Sequence, residues 1–387
     1  MNMKSIREVF VICLIFICAC GSDDTGPSDD PILQFNLLWE VPTPTFLPQG
    51  ITLDDQGRNY FYVAGKSGGI TVFDNSKNPA ELIATIPISE FGGNHAMHLF
   101  QQDEYLYVAL GDFFGDPAKA GMAIIDVSDP SVPMTTAYWQ SDDLEDGSAV
   151  ITVKDNHAYL GAMSRGIYVF DISDKNSIIL TDQFLPDVNF PVQDPNSIQH
   201  PNARGMTLRG NDLFVTYDAG GIRVIDVSDK SKLVEKSRYI NEDFSKQHAY
   251  NNIILNGDYA YTATDYCGMK ILDISDVNDI KLLSWCNPWG CDTPENIWIN
   301  SEGHTNQLVL DQTNHRVVMS SGGSEITVFD VSDPMDCAFV KSYGDRVNNL
   351  AVWGLSMNEN IVYATYITSV VPFPGTWRGI KAIALEN

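Results

Sequence analysis

Four of the seven histidines have a similar setting, in which each follows a polar stretch and precedes an apolar, strand-like segment. These residues are His95, His200, His248 and His304. Imidazoles that converge can bind a transition metal or transfer protons. The alternative is that they fill hydrogen-bonding positions at the starts of strands, as Asn and Asp do elsewhere in the chain. We therefore treat the four as candidate metal or ligand residues and assign no cofactor.

Three tryptophans lie in long segments that interrupt the regular strand pattern. Trp289 and Trp298 fall within residues 287–304, and Trp377 falls within residues 367–379. Loops of this length on a compact scaffold are usually functional. Exposed aromatic rings beside Asn and Asp suit stacking against a sugar or docking of a protein. The alternative is that these rings pack the loops onto the sheets.

Cys267, Cys286, Cys291 and Cys337 are the cysteines outside the N-terminal region. The chain has no Cys-x-x-Cys pair, which disfavours a zinc-thiolate site. An oxidising compartment permits disulfides. A turn near residues 276–279 would bring Cys267 opposite Cys286, so we expect that pair, with Cys286–Cys291 as the alternative.

The N-terminus has the pattern of a bacterial lipoprotein signal. Residues 1–19 combine an early positive charge with a short apolar run, and Ile17-Cys18-Ala19-Cys20 resembles a lipobox. This pattern predicts lipidation of Cys20, whereas the alternative is a soluble secreted protein cut nearby. Residues 20–31 form the expected flexible acidic tether, which resembles surface-export tethers of bacterial lipoproteins. We expect a lipid-anchored protein of the outer membrane that faces the cell surface.

Charge narrows the set of partners. The formal net charge is −26 with 44% hydrophobic residues, which fits a globular but strongly acidic protein. Such a surface repels phosphate backbones, so we expect no nucleic-acid partner. Cations, metal ions and neutral sugars remain compatible with it.

An internal repeat determines the expected fold. Each unit has an apolar strand, a Tyr-rich strand, the shared segment and a further strand, and the aspartates that close the shared segment are 45 to 57 residues apart. The shared segments are GITVFDNSKNP at 69, GMAIIDVSDP at 121, GIYVFDISDK at 166, GIRVIDVSDK at 221, GMKILDISDV at 268, EITVFDVSDP at 325 and the degenerate GIKAIALEN at 379.

Units that are apolar on both faces must stack on their neighbours, and radial stacking of four-stranded sheets makes a propeller. The sequence therefore predicts an all-β, seven-bladed β-propeller of four-stranded antiparallel blades over residues 32–387. The last unit supplies only three strands, so residues 32–41 are expected to complete the last blade and close the ring.

The Asp-Val-Ser-Asp-Pro segments have two interpretations. Closely spaced carboxylates suit a calcium ion. Asp and Ser also cap turns through their own backbone, and recurrence in most units favours a scaffold turn between the third and fourth strands.

The GIxVFDVSDP units resemble LVIVD repeats, which are found in bacterial surface proteins, and the resemblance covers nearly all of residues 32–387. It implies a β-propeller lipoprotein at the bacterial surface and leaves the biochemical role undefined.

Function is expected to reside in binding. Since the sequence has no nucleophile elbow and no HExxH motif, we expect a non-catalytic binding or scaffold propeller, facing the cell surface or periplasm. Its partners would be the membrane, through the lipid anchor, and a glycan or protein ligand. The alternative is a propeller enzyme, carbohydrate-active or metal-dependent, that uses the histidines at the channel mouth.

Overall fold

A computed structural model describes residues 33–112, 115, 117–144, 147–241, 249–295, 298–301 and 303–386. Within these ranges the protein is all-β, with three short 3₁₀ turns at Ile88–Phe91, Trp298–Asn300 and Arg346–Asn348 as its only helical segments. None of the described helical segments is long and apolar enough to cross a membrane. The predicted signal segment, the tether with Cys20, and His248 lie outside the described residues.

The described strands are antiparallel and fall into sets of four. The N-terminal strand is β1 (Gln34–Pro42). The next set is β2 (Gly50–Leu53), β3 (Tyr60–Ala64), β4 (Ile70–Asp74) and β5 (Glu81–Ile86). It is followed by β6 (Ala96–Gln102), β7 (Tyr105–Leu110), β8 (Gly121–Asp126) and β9 (Met134–Gln140). Then come β10 (Val150–Lys154), β11 (His157–Gly161), β12 (Ile167–Asp171) and β13 (Ile179–Phe184).

The second half of the chain continues this order. Its first set is β14 (Pro201–Arg209), β15 (Asp212–Asp218), β16 (Ile222–Asp226) and β17 (Val234–Tyr239). The next is β18 (Tyr250–Asn256), β19 (Tyr259–Thr264), β20 (Met269–Asp273) and β21 (Lys281–Cys286), which joins the preceding set through the pair Asp218 and Tyr250. Then follow β22 (Thr305–Asp311), β23 (Arg316–Ser321), β24 (Ile326–Asp330) and β25 (Ala338–Tyr343). The last strands are β26 (Val352–Asn358), β27 (Ile361–Tyr366) and β28 (Gly379–Glu386).

The sheets are apolar on both faces, as strand β3 illustrates. Side chains alternate between the two faces of a strand. Phe61 packs in one apolar cluster with Ile380 of β28, and the next residue, Tyr62, packs in another with Leu106 of β7. A single strand thus contributes to two cores, one on each side of its sheet, and neighbouring sheets must stack.

Consecutive sheets contact each other through their first strands, β2, β6, β10, β14, β18, β22 and β26, which we call the inner strands. The segment expected to supply a fourth strand to the last unit pairs with β28. That register runs from Gln34 opposite Glu386 to Pro42 opposite Gly379, and β1 shares its sheet with β26–β28.

The Asp-Val-Ser-Asp segments form turns between the third and fourth strands. In the second sheet, the carboxylate of Asp126 accepts a hydrogen bond of 2.8 Å from the backbone N–H of Ser128. The same contact to the residue two positions ahead is made by Asp74, Asp171, Asp226, Asp273 and Asp330. The turn interpretation of the motif is therefore confirmed.

The predicted disulfide between Cys267 and Cys286 is wrong, and so is its alternative. Cys267 is bonded to Cys291, and Cys286 is bonded to Cys337. The register of β20 and β21 places Met269, not Cys267, opposite Cys286. Cys267 lies before this pairing begins, and Gly268, with φ of 75°, turns the chain there. One disulfide therefore fastens the long loop after β21, and the other links two adjacent sheets.

Removing β1 tests the role of its pairing with β28. Deletion of residues 33–42 leaves one edge of β28 unpaired and uncovers the apolar cluster around Phe61, so we expect Tm to fall by about 10 °C or more, or aggregation. Thermal unfolding followed by circular dichroism measures the effect. Deletion of residues 21–31 alone is the control. Equal stability of the two deletion variants would contradict the role assigned to β1.

Candidate functional site

A cavity of about 760 Å³ opens where several inner strands begin. Its walls come from these strand ends and from the loops beside them. The described lining residues are Leu47, Gln49, Ser197, Ile198, Asn202, Arg204, Asp218, Ala249, Asn251, Asp265, Tyr266, Trp298, His304, Thr305, Asn306, Trp353, Ile367, Thr368, Ser369, Val371, Pro372 and Phe373. Pockets of this size accommodate small ligands.

The floor of the cavity is built from amides and hydroxyls at the inner-strand ends. The amide nitrogen of Asn251 donates to the backbone carbonyl of Thr305 at 2.7 Å. The side chains of Asn202 and Asn306 line the cavity as well, and amides can exchange hydrogen bonds with a polar ligand. The amide oxygen of Asn251, Gln49 Oε1 and Thr305 Oγ1 have no hydrogen-bond partner among the described residues, but they are closed to solvent, so a ligand in the cavity does not reach them in this structure.

A charged group lies beside these amides. Arg204 of β14 donates to the amide oxygen of Asn306 at 3.0 Å and lies 3.8 Å from the carboxylate of Asp218. Burial raises the pKa of Asp218 to about 6; Arg204 opposes this effect, and the nearby carboxylate of Asp265 adds to it. The site therefore holds a carboxyl group that changes charge close to neutral pH.

Asp265, which follows β19 of the next sheet, holds two other residues of the cavity wall. Its two carboxylate oxygens accept hydrogen bonds from the Nδ1 of His304 and the indole Nε1 of Trp298, both at 2.9 Å. The Nε2 of His304 lies 2.6 Å from the backbone carbonyl of Trp298. Both partners of the imidazole are acceptors, so both contacts are hydrogen bonds only when His304 carries two N–H groups. In that form His304 and Asp265 make a buried ion pair that orients Trp298.

The candidate histidines have different surroundings. Of the three that the structure describes, only His304 lines the cavity. The Nδ1 of His95 contacts Asp112 at 2.9 Å, and the Nδ1 of His200 lies 3.1 Å from the carbonyl of Pro201. With His248 outside the described residues, the convergence of all four histidines stays a prediction.

The three candidate tryptophans also differ. Trp298 lines the cavity. Trp289 packs against Gly303, where a Cβ atom would lie 2.1 Å from the indole ring. Trp377 packs edge-on against Tyr366 with 5.3 Å between ring centroids. For Trp289 and Trp377 the packing alternative therefore describes the observed contacts, and Trp298 is the ring that a ligand can reach.

Several site residues were missed from the sequence. They are Gln49, Asn202, Arg204, Asp218, Asn251, Asp265, Tyr266, Asn306 and Trp353. Two repeat-related signals could have found some of them. An asparagine follows His200, His248 and His304 by two or three positions, and an aspartate ends or follows the second strand in the sequences VTYDAGG and TATDYCG.

The described part of the chain contains no assembled set of metal ligands. No cluster of three or more His, Cys, Asp or Glu residues with the geometry for an ion occurs there. Each oxygen of Asp265 and each nitrogen of His304 already has a protein partner. Hydrogen bonding, stacking and proton exchange are therefore the chemistry that the described groups can perform.

Solved structures with a similar fold define the class of protein. The WD40 repeats of RRP9 superpose with a TM-score of 0.66 and 10% identity, covering 91% of this chain and 100% of theirs. U3-55K superposes with a TM-score of 0.64 and 10% identity, covering 91% of this chain and 98% of its own. Raptor from Chaetomium thermophilum superposes with a TM-score of 0.65 and 12% identity, covering 91% of this chain and 29% of its own. The fold is therefore that of WD40-like β-propellers.

Sequence comparison adds the repeat type. Residues 93–137, 147–185, 202–241 and 250–287 match the LVIVD repeat, so the chain contains this repeat in four copies. Two of the four copies contribute residues to the cavity: Asn202, Arg204 and Asp218 lie in the third copy, and Asn251, Asp265 and Tyr266 lie in the fourth. No curated protein matches the chain.

The raised pKa of Asp218 predicts a pH-dependent stability. The folded protein holds this proton up to about pH 6, whereas the ordinary Asp value is 3.8, so the free energy of unfolding falls as pH rises through that window. Asp218→Asn lacks the titrating carboxyl group. Between pH 3.5 and pH 7, its free energy of unfolding should therefore rise by about 2–3 kcal/mol relative to that of the wild type. Urea unfolding of both proteins at both pH values measures the difference. Parallel pH profiles for the two proteins would contradict the burial of an ionisable Asp218.

Proposed function

We propose that the protein is a non-catalytic binding propeller of the bacterial surface that holds a glycan in the cavity described above. The observation that carries this proposal is a cavity of about 760 Å³ that is lined by the side chains of Asn202, Asn251 and Asn306 together with the exposed ring of Trp298. Sugar hydroxyls exchange hydrogen bonds with amides, and the apolar face of a sugar ring suits an indole. A protein that presents such groups is the other ligand compatible with this site.

The same proposal includes a closed seven-bladed ring. Twenty-eight strands in the described residues make seven sets of four when β1 is counted with β26–β28. Contact between the inner strands β2 and β26, and the cluster that joins Phe61 to Ile380, support stacking of the first sheet on the last. A closed ring gives the floor fixed positions for its amides, which a binding site of this kind needs.

Anchoring through Cys20 is the second part of the proposal. The sequence pattern around Cys20 supports it, and two disulfides are consistent with an oxidising compartment. Cys20→Ala should abolish incorporation of labelled fatty acid and move the protein from the membrane fraction to the soluble fraction. Unchanged fatty-acid labelling of the Cys20→Ala variant would contradict anchoring through Cys20.

A carbohydrate-active enzyme is the second candidate function. One observation favours it, because Asp218, with its pKa raised to about 6, lies near Asp265 in the same cavity. Two carboxyl groups with different protonation states are what glycoside hydrolysis requires. Release of reducing sugar from a bound glycan, lost in Asp218→Asn, would replace the non-catalytic proposal with this one.

Glycan binding is tested with variants of the floor and wall. We expect Asn251→Ala and Trp298→Ala each to weaken binding about tenfold, because they remove a polar side chain that lines the cavity and a stacking surface. A glycan array identifies the ligand and titration calorimetry gives its Kd. Asn278→Ala, in the exposed turn between β20 and β21, is the matched control. If neither cavity variant weakens glycan binding, the glycan binds at a site other than this cavity.

A further inference from the structure

The mouth of the cavity differs in chemistry from its floor. Large aliphatic side chains are exposed on two loops beside it: Ile198 at 71% before β14, and Val370 and Val371 at 87% and 60% between β27 and β28. Ile299 and the ring of Trp298, on a third loop, are also exposed. Single exposed apolar residues are common, but several around one opening mark a binding surface. We call Ile198, Trp298, Ile299, Val370 and Val371 the apolar lip.

The lip is continuous with the cavity. Ile198, Trp298 and Val371 line it directly, together with Pro372 and Phe373. The floor carries the amide side chains of Asn202, Asn251 and Asn306. A ligand that fills the cavity from floor to mouth therefore meets hydrogen-bonding groups at one end and aliphatic surface at the other.

Charge defines the polar end of the ligand. Arg204 lies 3.8 Å from the carboxylate of Asp218, and the carboxylate of Asp265 contacts His304 and Trp298. Because the charged groups that line the cavity already have partners of their own, a neutral hydroxylated head fits the floor best. Aliphatic side chains such as Ile198 and Val371 offer no stacking platform to a sugar, but they do cover hydrocarbon.

We propose that the ligand is amphipathic, with a neutral sugar head on the floor and a hydrocarbon chain across the apolar lip, which is the chemistry of a glycolipid. This inference rests on the proposed function and adds the class of ligand. The sugar exchanges hydrogen bonds with the amides of the floor, and the chain covers side chains that are otherwise exposed. The chain is expected to leave the cavity between the loops that carry Ile198 and Val371.

The test uses a series of alkyl glycosides that differ only in chain length. Methyl, hexyl and octyl β-glucosides and β-galactosides are titrated, below their micelle concentrations, into the full-length chain carrying Cys20→Ala, so that no detergent is needed. Calorimetry gives the affinities. Burial of as few as two methylenes corresponds to about tenfold in affinity, so we expect the octyl compound to bind at least about tenfold more tightly than the methyl compound.

Two further variants separate the head from the chain. Ile198→Ser with Val371→Ser should abolish the dependence of the affinity on chain length, so that the methyl and octyl compounds bind equally well to this variant. Asn251→Ala should weaken every member of the series. Val132→Ser is the matched control, since Val132 is 63% exposed in the turn between β8 and β9 and does not line the cavity.

The outcomes distinguish this inference from the function on which it rests. Equal affinity for methyl and octyl glycosides would contradict binding of a hydrocarbon chain to the apolar lip and would leave the proposal of glycan binding intact. A chain-length effect that survives the change of Ile198 and Val371 would also overturn it, because the chain then binds elsewhere. If no member of either series binds, while the glycan array is also negative, the proposed function fails together with the inference.

Discussion

Each sheet in this protein is apolar on both faces, and this constraint determines the rest of the architecture. Adjacent residues of one strand, such as Phe61 and Tyr62, belong to two different cores. Exposure of either face would leave a large apolar area in water, at about 25 cal/mol for each Å². Stacking neighbouring sheets removes that area. It also brings the starts of the inner strands together, which is why Asn202, Asn251 and Asn306 meet in one cavity although they lie far apart in sequence.

Asp265 then connects the scaffold to the loops. It follows β19 and accepts hydrogen bonds from His304 and Trp298, which lie at the end of the long loop after β21. The disulfide between Cys267 and Cys291 fastens the beginning of that loop to the strand that follows Asp265. A loop held at both ends can present Trp298 in one orientation, and an ordered wall lowers the entropic cost of binding.

The sequence allowed the strand pattern, the turns and the long loops to be predicted, because these features depend on local periodicity and on turn chemistry that recurs in each unit. The disulfides were assigned wrongly, since Cys291 and Cys337 reach their partners through loop and inter-sheet packing that no local register reveals. Trp289 and Trp298 occur in the same loop, and only the packing of Trp289 on Gly303 distinguishes this partly buried ring from the exposed ring of Trp298. Comparing repeats position by position, rather than searching for histidines, would have revealed the floor asparagines.

The polar floor beside Trp298 is the feature on which glycan binding depends, so the most direct measurement is a crystal structure of the protein soaked with a glycan identified on the array. We expect a sugar ring in the cavity, with hydroxyl groups within hydrogen-bond distance of the side chains of Asn202 or Asn306 and with one face against Trp298. A cavity that holds only ordered water, with the glycan bound at another surface, would contradict this expectation.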